Sequence, residues 1–461
     1  MSRDVHIIQR QHYEIIMRQQ KTALDIQQRL EEINTMYVLP QLAEKMDKYF
    51  SNDEVVTIDK LELNLGKISK DADGREWARL IIDCLEIQLK LFETVNAKTK
   101  KHKRQHLAES WIWYLKTGVL PADSIYNSVR EIIADLFAEE KTIIAFDEDA
   151  KELIRWFLLN NADTYAIKRI TSFELPVKKI HVQLIFPGFT NENIDQLDDE
   201  ITRVSFPKPL TNFYKQRLWE SVLNKLIKET VSKDILIKHL IEEIKVRSNE
   251  LKAEANKDED IIFVFKKAND QAETNKHKQY LENNKETASK ASMPEPEIFI
   301  SNAGLCLLAP WLTNFFKETG LVNENKFIDH EKQEHAIYLL HYLITKETDP
   351  TEEVLLFPKL LCGWPLQMPV FDKTEITGHE INECEDLLNS VIQNWSVLKN
   401  TTTEGLRESF LQRSGKMTEQ EDQFIIQPEQ RSIDLLLEYI PWTFRMIRLP
   451  WMKKSVQIDW Y

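Results

Sequence analysis

The sequence predicts a mainly α, multidomain protein: long N-terminal helices with a short strand element, a polar linker, and a compact, tryptophan-rich helical C-terminal domain. Among 461 residues only 10 are glycine while 29% are charged, a pairing that favours helices over turn-rich sandwiches or barrels. Apolar residues make up 42%, enough to bury folded cores. The length fits two or three domains of roughly 100–200 residues each.

The first helical stretch spans residues 5–50. Ala23, Ile26, Leu30, Ile33 and Tyr37 recur in steps of three and four and form one apolar stripe. Pro40 must bend or restart that helix. The period then changes: Leu61, Leu63 and Leu65 alternate with Lys60, Glu62 and Asn64 and stop at Gly66, the pattern of a half-buried strand ending in a turn. Helical patterning resumes over residues 77–95, with Leu80, Ile81, Leu85, Leu89 and Phe92 on one face. A cluster of Trp111, Ile112, Trp113 and Leu115 runs into the breaker sequence TGVLP (117–121). Helices are expected over 125–137 and 153–160, then, after a proline-bearing stretch (176–209), over 218–244.

From residue 266 to 297 Lys, Asn, Gln, Glu and Ala dominate, and Tyr280, Leu281 and Met293 are the larger apolar side chains. Such a segment buries too little to offset chain ordering and reads as a flexible or loosely helical linker. The chain beyond it holds six of the eleven tryptophans (Trp311, Trp364, Trp395, Trp442, Trp451, Trp460) and turns marked by Pro310, Pro358, Pro365, Pro441 and Pro450. The terminal SVQIDW (455–460) alternates as a closing strand would. The expected domains are residues 1–70, 71–245, the linker 246–297, and 298–461.

Charge and motifs narrow the function. A formal net charge of -14 gives little of the counterion release that drives nucleic-acid binding. The densest basic run, 98–104, is short and reads as a solvated face. The N-terminus lacks a signal peptide's apolar core, and no apolar run nears the ~18 residues of a membrane span. The four cysteines (Cys84, Cys306, Cys362, Cys384) form no C-x-x-C pair, so reduced thiols in a bacterial cytoplasm are expected. No Gly-rich phosphate loop or nucleophile elbow is present. In HEKQEH (330–335) the histidines are five apart and diverge around a helix; an exposed Glu331–His335 ion pair is favoured over a metal site. His102 and His106 share a face with no accompanying carboxylates, and Asp198–Asp199 and 258–260 lie in polar stretches. Cys362, in LLCGW, reads as a small core residue. The expectation is a non-enzymatic protein with no catalytic residues, cofactor or metal.

Several blocks carry a family resemblance: IFISNAGLCLLAPWL (298–312), FPKLLCGWPL (357–366), VIQNWSVLKNTTTEGLRESFLQRSGKM (391–417), IPWTFRMIRLPWM (440–452) and the terminal IDW (458–460). Looser matches are HIIQRQ (6–11), IDKLELNLG (58–66) and WYLKTGVLP (113–121). In this order they resemble the tape measure proteins of contractile injection systems, particles similar to phage tails. The resemblance implies a scaffold that sets tube length during assembly in the bacterial cytoplasm and then lies within the tube. It implies inner tube and baseplate or spike hub proteins as partners, with no nucleic acid and no membrane. It further implies that the N-terminal helices oligomerise, with threefold symmetry to match the hub. The runner-up is an assembly adaptor or chaperone that measures nothing; a hydrolase is the third class. Within the blocks, Gly304, Gly363 and Gly405 read as sites of close approach or positive φ, and most signature residues read as folding determinants. Asn302, Lys359, Lys399, Asn400 and Arg407 are the polar members expected to face a partner, each with the alternative of satisfying a buried backbone group.

Overall fold

The computed structural model describes residues 29–49, 54–56, 61–68, 72–95, 100–121, 124–137, 148–255 and 298–460, leaving out positions 31, 163, 207–210, 230 and 371–374 within them, and a few isolated positions upstream. The described part is mainly α, as the composition predicts. Its buried side chains form three cores.

The first core shows what Pro40 does. Residues 34–38 form a π turn, closed by the Leu39 N–H donating to the Asn34 carbonyl, and helix α1 (Leu39–Tyr49) starts directly after it. Proline has no N–H to donate, so it is tolerated in the opening turn of the restarted helix. Ile33, Val38 and Leu42 are buried here, and Leu30 and Tyr37 pack against them. Ala23 and Ile26 of the expected stripe lie outside the described residues. Helix α2 (Gly74–Val95) supplies the opposing face through Trp77, Ile81, Leu85 and Leu89. The expected strand differs in one respect. Leu61, Leu63 and Leu65 are half-buried and alternate with exposed Glu62 and Asn64, and Gly66 turns at φ 66, yet the segment joins no ladder. Alternation records one covered face of an extended chain; it does not supply a pairing partner. The ladder nearby joins β1 (Glu54–Val56) antiparallel to β2 (Lys100–His102).

The second core is wholly helical: α3 (Lys103–Thr117), α4 (Val129–Phe137), α5 (Glu148–Asn160), α6 (Thr164–Ser172), α7 (Leu175–Ile185), α8 (Asn191–Arg203), α9 (Thr211–Lys228) and α10 (Lys233–Ala255). The proline-bearing stretch is not a gap. Pro176 sits in the first turn of α7, where no N–H is needed, and Pro187 lies in the turn before α8. Helix α8 opens with a capping box in which Thr190 and Asn193 exchange bonds. The expected helix over 218–244 is two helices, α9 and α10, joined across 229–232 and tied by Lys225 to Glu243 at 3.0 Å.

The third core begins at Ile298 and adds a sheet. Its helices are α11 (Ala309–Glu318), α12 (His330–Thr345), α13 (Leu356–Leu361), α14 (Gly378–Asn394) and α15 (Thr403–Leu406), with 3-10 turns at Ala303–Leu308, Glu352–Leu355, Ser396–Leu398 and Ser432–Tyr439 and a π turn at Arg407–Leu411. A short ribbon pairs β4 (Val322–Asn323) with β5 (Lys326–Phe327). Five strands, β3 (Ile298–Ile300), β6 (Gly415–Glu419), β7 (Gln423–Pro428), β8 (Met446–Ile447) and β9 (Ser455–Ile458), form a sheet in the order β3-β6-β7-β9-β8. All neighbours are antiparallel except β7 and β9. The closing strand read from SVQIDW is β9, and it buries Val456 and Ile458.

Candidate functional site: a charged seam and the surface of the signature core

The blocks that carried the resemblance mostly face inward and touch one another. The turn at Ala303–Leu308 runs against the π turn at Arg407–Leu411 so closely that a Cβ on Gly304 would overlap the Phe410 carbonyl oxygen. The indole N–H groups of Trp442, Trp451, Trp395 and Trp364 donate to the carbonyls of Leu307 (3.1 Å), Leu361 (2.8 Å), Leu436 (3.1 Å) and Met368 (3.0 Å). Leu307 and Leu436 lie in 3-10 turns, Leu361 at the end of α13 and Met368 in a loop, so each bond pins a short or irregular segment.

WYLKTGVLP meets the C-terminal blocks at a seam between the second and third cores. Helix α3 ends at Gly118, φ 78, whose N–H donates to the Tyr114 carbonyl at 2.8 Å. A Cβ on Gly118 would run into Glu352 and Arg169. Arg169, on α6, is fully buried and uses its whole fork. Nε donates to Glu352 Oε2 at 3.0 Å and Nη2 to Glu352 Oε1 at 3.1 Å. Nη1 donates to the Leu115 and Lys116 carbonyls at 2.9 and 3.1 Å, and Nη2 also reaches the Gln367 carbonyl. Lys359 Nζ, also buried, donates to Glu352 Oε1 at 2.6 Å. Burial alone would raise the Glu352 carboxyl; Lys359 and Arg169 outweigh it and lower it. Burial pushes the Lys359 ammonium down, with Glu352 working against that. Next to this cluster, the Val129 N–H donates to Glu353 at 2.9 Å, and burial pushes the Glu353 carboxyl and the Tyr114 phenol up. At the rim, Arg130 bonds Asp349 at 3.0 Å.

The five residues expected to face a partner divide. Lys399 and Asn400 are exposed. Asn302, Lys359 and Arg407 are buried and take the backbone-satisfying or ion-pairing alternative. Asn302 donates to the Val354 carbonyl at 2.7 Å. Arg407 donates to the Leu343 carbonyl at 3.0 Å and to Glu385 at 2.6 Å. Arg169 and Glu352 were not singled out from sequence. The signal available was an arginine on the apolar stripe of Ala166 and Ile170 in α6, a placement that demands a buried partner.

The histidine pattern corrects one expectation. His335 is buried, and its Nε2 pairs with Glu380 on α14 at 2.7 Å, so the ion pair is not the exposed one with Glu331. Burial alone would raise the Glu380 carboxyl; the bonds from His335 and Thr377 and the His335 charge outweigh it and lower it to about 2. Cys362 is a core residue, its thiol pushed far up by burial, and Cys384 is pushed up to about 12. No group of metal-binding side chains occurs among the described residues, and none of their helices is long and apolar enough to cross a membrane.

Comparison with curated proteins and with solved structures yielded no match. A family model described as contractile injection system tape measure protein matches residues 5–460, nearly the whole chain and every block described above. The chain therefore belongs to the contractile injection system tape measure protein family.

Proposed function

We propose that this tape measure protein acts in tube-length control through protein–protein contacts made by a folded, anchored body. One observation carries the reading. The signature blocks commit Gly304 and Gly363, most of their tryptophans, and the cations Lys359 and Arg407 to internal packing, which makes this part of the chain a fixed body. The longest helix among the described residues, Lys233–Ala255, has 23 residues and reaches only about 35 Å at ~1.5 Å per residue. A single stretched helix is therefore not the form that measures in the described state.

The anchor partner is the baseplate or spike hub, and the contact surface centres on Lys399 and Asn400. They follow the turn at Ser396–Leu398, where Val397 is 41% exposed, and that turn packs against the one at Ser432–Tyr439, where Leu435 is 67% exposed. A basic and amide pair rimming exposed aliphatic side chains fits a partner surface that is apolar at its centre and acidic at its edge. A threefold assembly matching the hub, and residence within the tube of the finished particle, belong to the same reading.

The test replaces both exposed polar residues, Lys399→Glu with Asn400→Asp, which leaves the core untouched. The expected result is loss of co-purification with hub or baseplate proteins and a broadened distribution of tube lengths in electron micrographs. Normal co-purification with normal tube lengths would reject this surface.

A further inference from the structure

We infer that the seam between the second and third cores is a separable latch, built so that each half keeps its buried charged groups hydrogen-bonded when the halves part. Arg169 has two sets of partners. The Leu115 and Lys116 carbonyls belong to its own core, at the C-terminal end of α3, where the helix dipole favours a cation. Glu352 and the Gln367 carbonyl belong to the other core. Glu352 likewise has a partner on its own side, Lys359, at 2.6 Å. Parting the seam breaks the Arg169–Glu352 pair and the Val129–Glu353 bond, yet leaves Glu352 on Lys359 and Arg169 on the end of α3.

A permanently fused interior has no need of this duplication. Its buried ion pairs cross once, and separation strands an uncompensated charge. The apolar content of the seam points the same way. Among the described residues, Val119 and Tyr165 are the apolar side chains that the second core sends into the third. A joint that is polar, bidentate and poor in apolar contact holds one docking geometry without welding the cores together. Residues 256–297 connect the same two cores along the chain, so an opened latch would leave the cores joined through them alone.

The test is read on the isolated full-length chain by hydrogen exchange, so its failure leaves the proposed docking surface standing. Glu352→Gln keeps the shape and removes the charge that Arg169 grips. Lys359→Met removes the partner on the Glu352 side and leaves Glu352 dependent on Arg169, which favours the closed form. In Glu352→Gln, amides of 113–119, 349–354 and 365–368 are expected to exchange about tenfold faster or more, the factor that loss of one charge-assisted hydrogen bond represents. Amides within α9 and α12 keep their protection, and Lys359→Met shows no such acceleration. Faster exchange throughout both cores would mark a single fused interior. Unchanged exchange in Glu352→Gln, or equal acceleration in Lys359→Met, would also overturn the latch. If Glu352→Gln does not fold, Arg169→Lys carries the same test, since it keeps the charge and removes the fork.

Discussion

The second and third cores solve one problem in two ways. Both must satisfy buried backbone groups, but α3 to α10 do so mostly within each helix, with Arg169 on the end of α3 as an exception, and most of their side chains are left to pack. Trp111 and Trp219 bury their rings and donate to side chains, His181 and Asp198, both at 3.0 Å. The third core is a patchwork of 3-10 turns, a π turn and short strands, and its side chains must reach across the fold to finish the backbone. Arg413 donates to the carbonyls of Glu429 and Ser409, Gln412 to Ile344, and Gln333 to Cys362. This dependence explains why the recognisable signatures crowd into the third core. An amphipathic helix accepts many sequences; a turn held by one indole or one guanidinium accepts few.

The largest effect that would test this contrast is at Gly304. Gly304→Ala forces a methyl into the Phe410 carbonyl, and loss of more than about 4 kcal/mol of stability, or failure to fold, is expected. Gly378→Ala, at the open start of α14 with nothing nearby, should change stability by less than about 1 kcal/mol. Denaturant unfolding of both variants decides it; equal effects would mean the close approach is not what the third core depends on.

Acid acts on both cores, and the third carries an additional, lower window. In the second, burial pushes His181 down to about 4 from 6.5, with its Nδ1 on the Val177 carbonyl and its Nε2 accepting from Trp111. Both ring nitrogens are thus occupied by a neutral imidazole, while the unfolded chain takes up a proton near pH 6.5. Stability contributed by this group is full above pH 6.5 and falls by on the order of 3 kcal/mol as pH drops to about 4. His330, beside Trp364 in the third core, is also pushed down to about 4 by burial and the nearby Lys168 charge and falls in the same window. Glu380 behaves in the opposite sense. Its depressed folded value means stability present above about pH 4.5 and lost as pH falls to about 2. His181→Gln should remove about half of the loss in the upper window, His330 keeping the rest, and Glu380→Gln should flatten the lower one, measured by thermal unfolding across pH. Either variant flattening the other's window would break the assignment.

A smaller effect is expected from trimming indoles. Trp442→Phe leaves the Leu307 carbonyl without its donor and should lose about 1–3 kcal/mol. Trp113→Phe, at a 39% exposed position in the second core, should lose less than about 0.5 kcal/mol.

The same contrast explains what could be read from the sequence. The stripe through Leu30, Ile33 and Tyr37, the face of Ile81, Leu85 and Leu89, the restart at Pro40 and the stop at Gly118 are local patterns, and the structure has them. Strand β9 was legible because its alternation is uninterrupted. Strands β3 and β8 were not, because they run to only three and two residues and β3 pairs with a remote segment, Phe299 opposite Lys416; the β6–β7 hairpin was not, because its turn, residues 420–422, carries no glycine or proline to mark it. At the seam, Lys359 was noticed as a polar signature residue, but its burial depends on Glu352 and on Arg169 from another core. Local periodicity carries no information about such a partner.

The last prediction has the smallest expected effect on stability and joins the latch to length control. Duplicating residues 266–290 adds about 25 residues between the second and third cores, roughly 90 Å at full extension. In the isolated chain the seam already holds the flanking cores together, so unfolding should be unchanged within about 0.5 kcal/mol. In assembling particles the outcome depends on the seam. If it opens, the added residues lengthen the connection and tube length shifts by up to that span. Cross-linking Arg130→Cys to Asp349→Cys across the rim, with a bismaleimide that bridges the two positions, should abolish the shift by keeping the cores docked. A shift that persists in the cross-linked protein would place length control elsewhere, since residues that loop from one side of a closed seam to the other cannot alter the distance between what they connect.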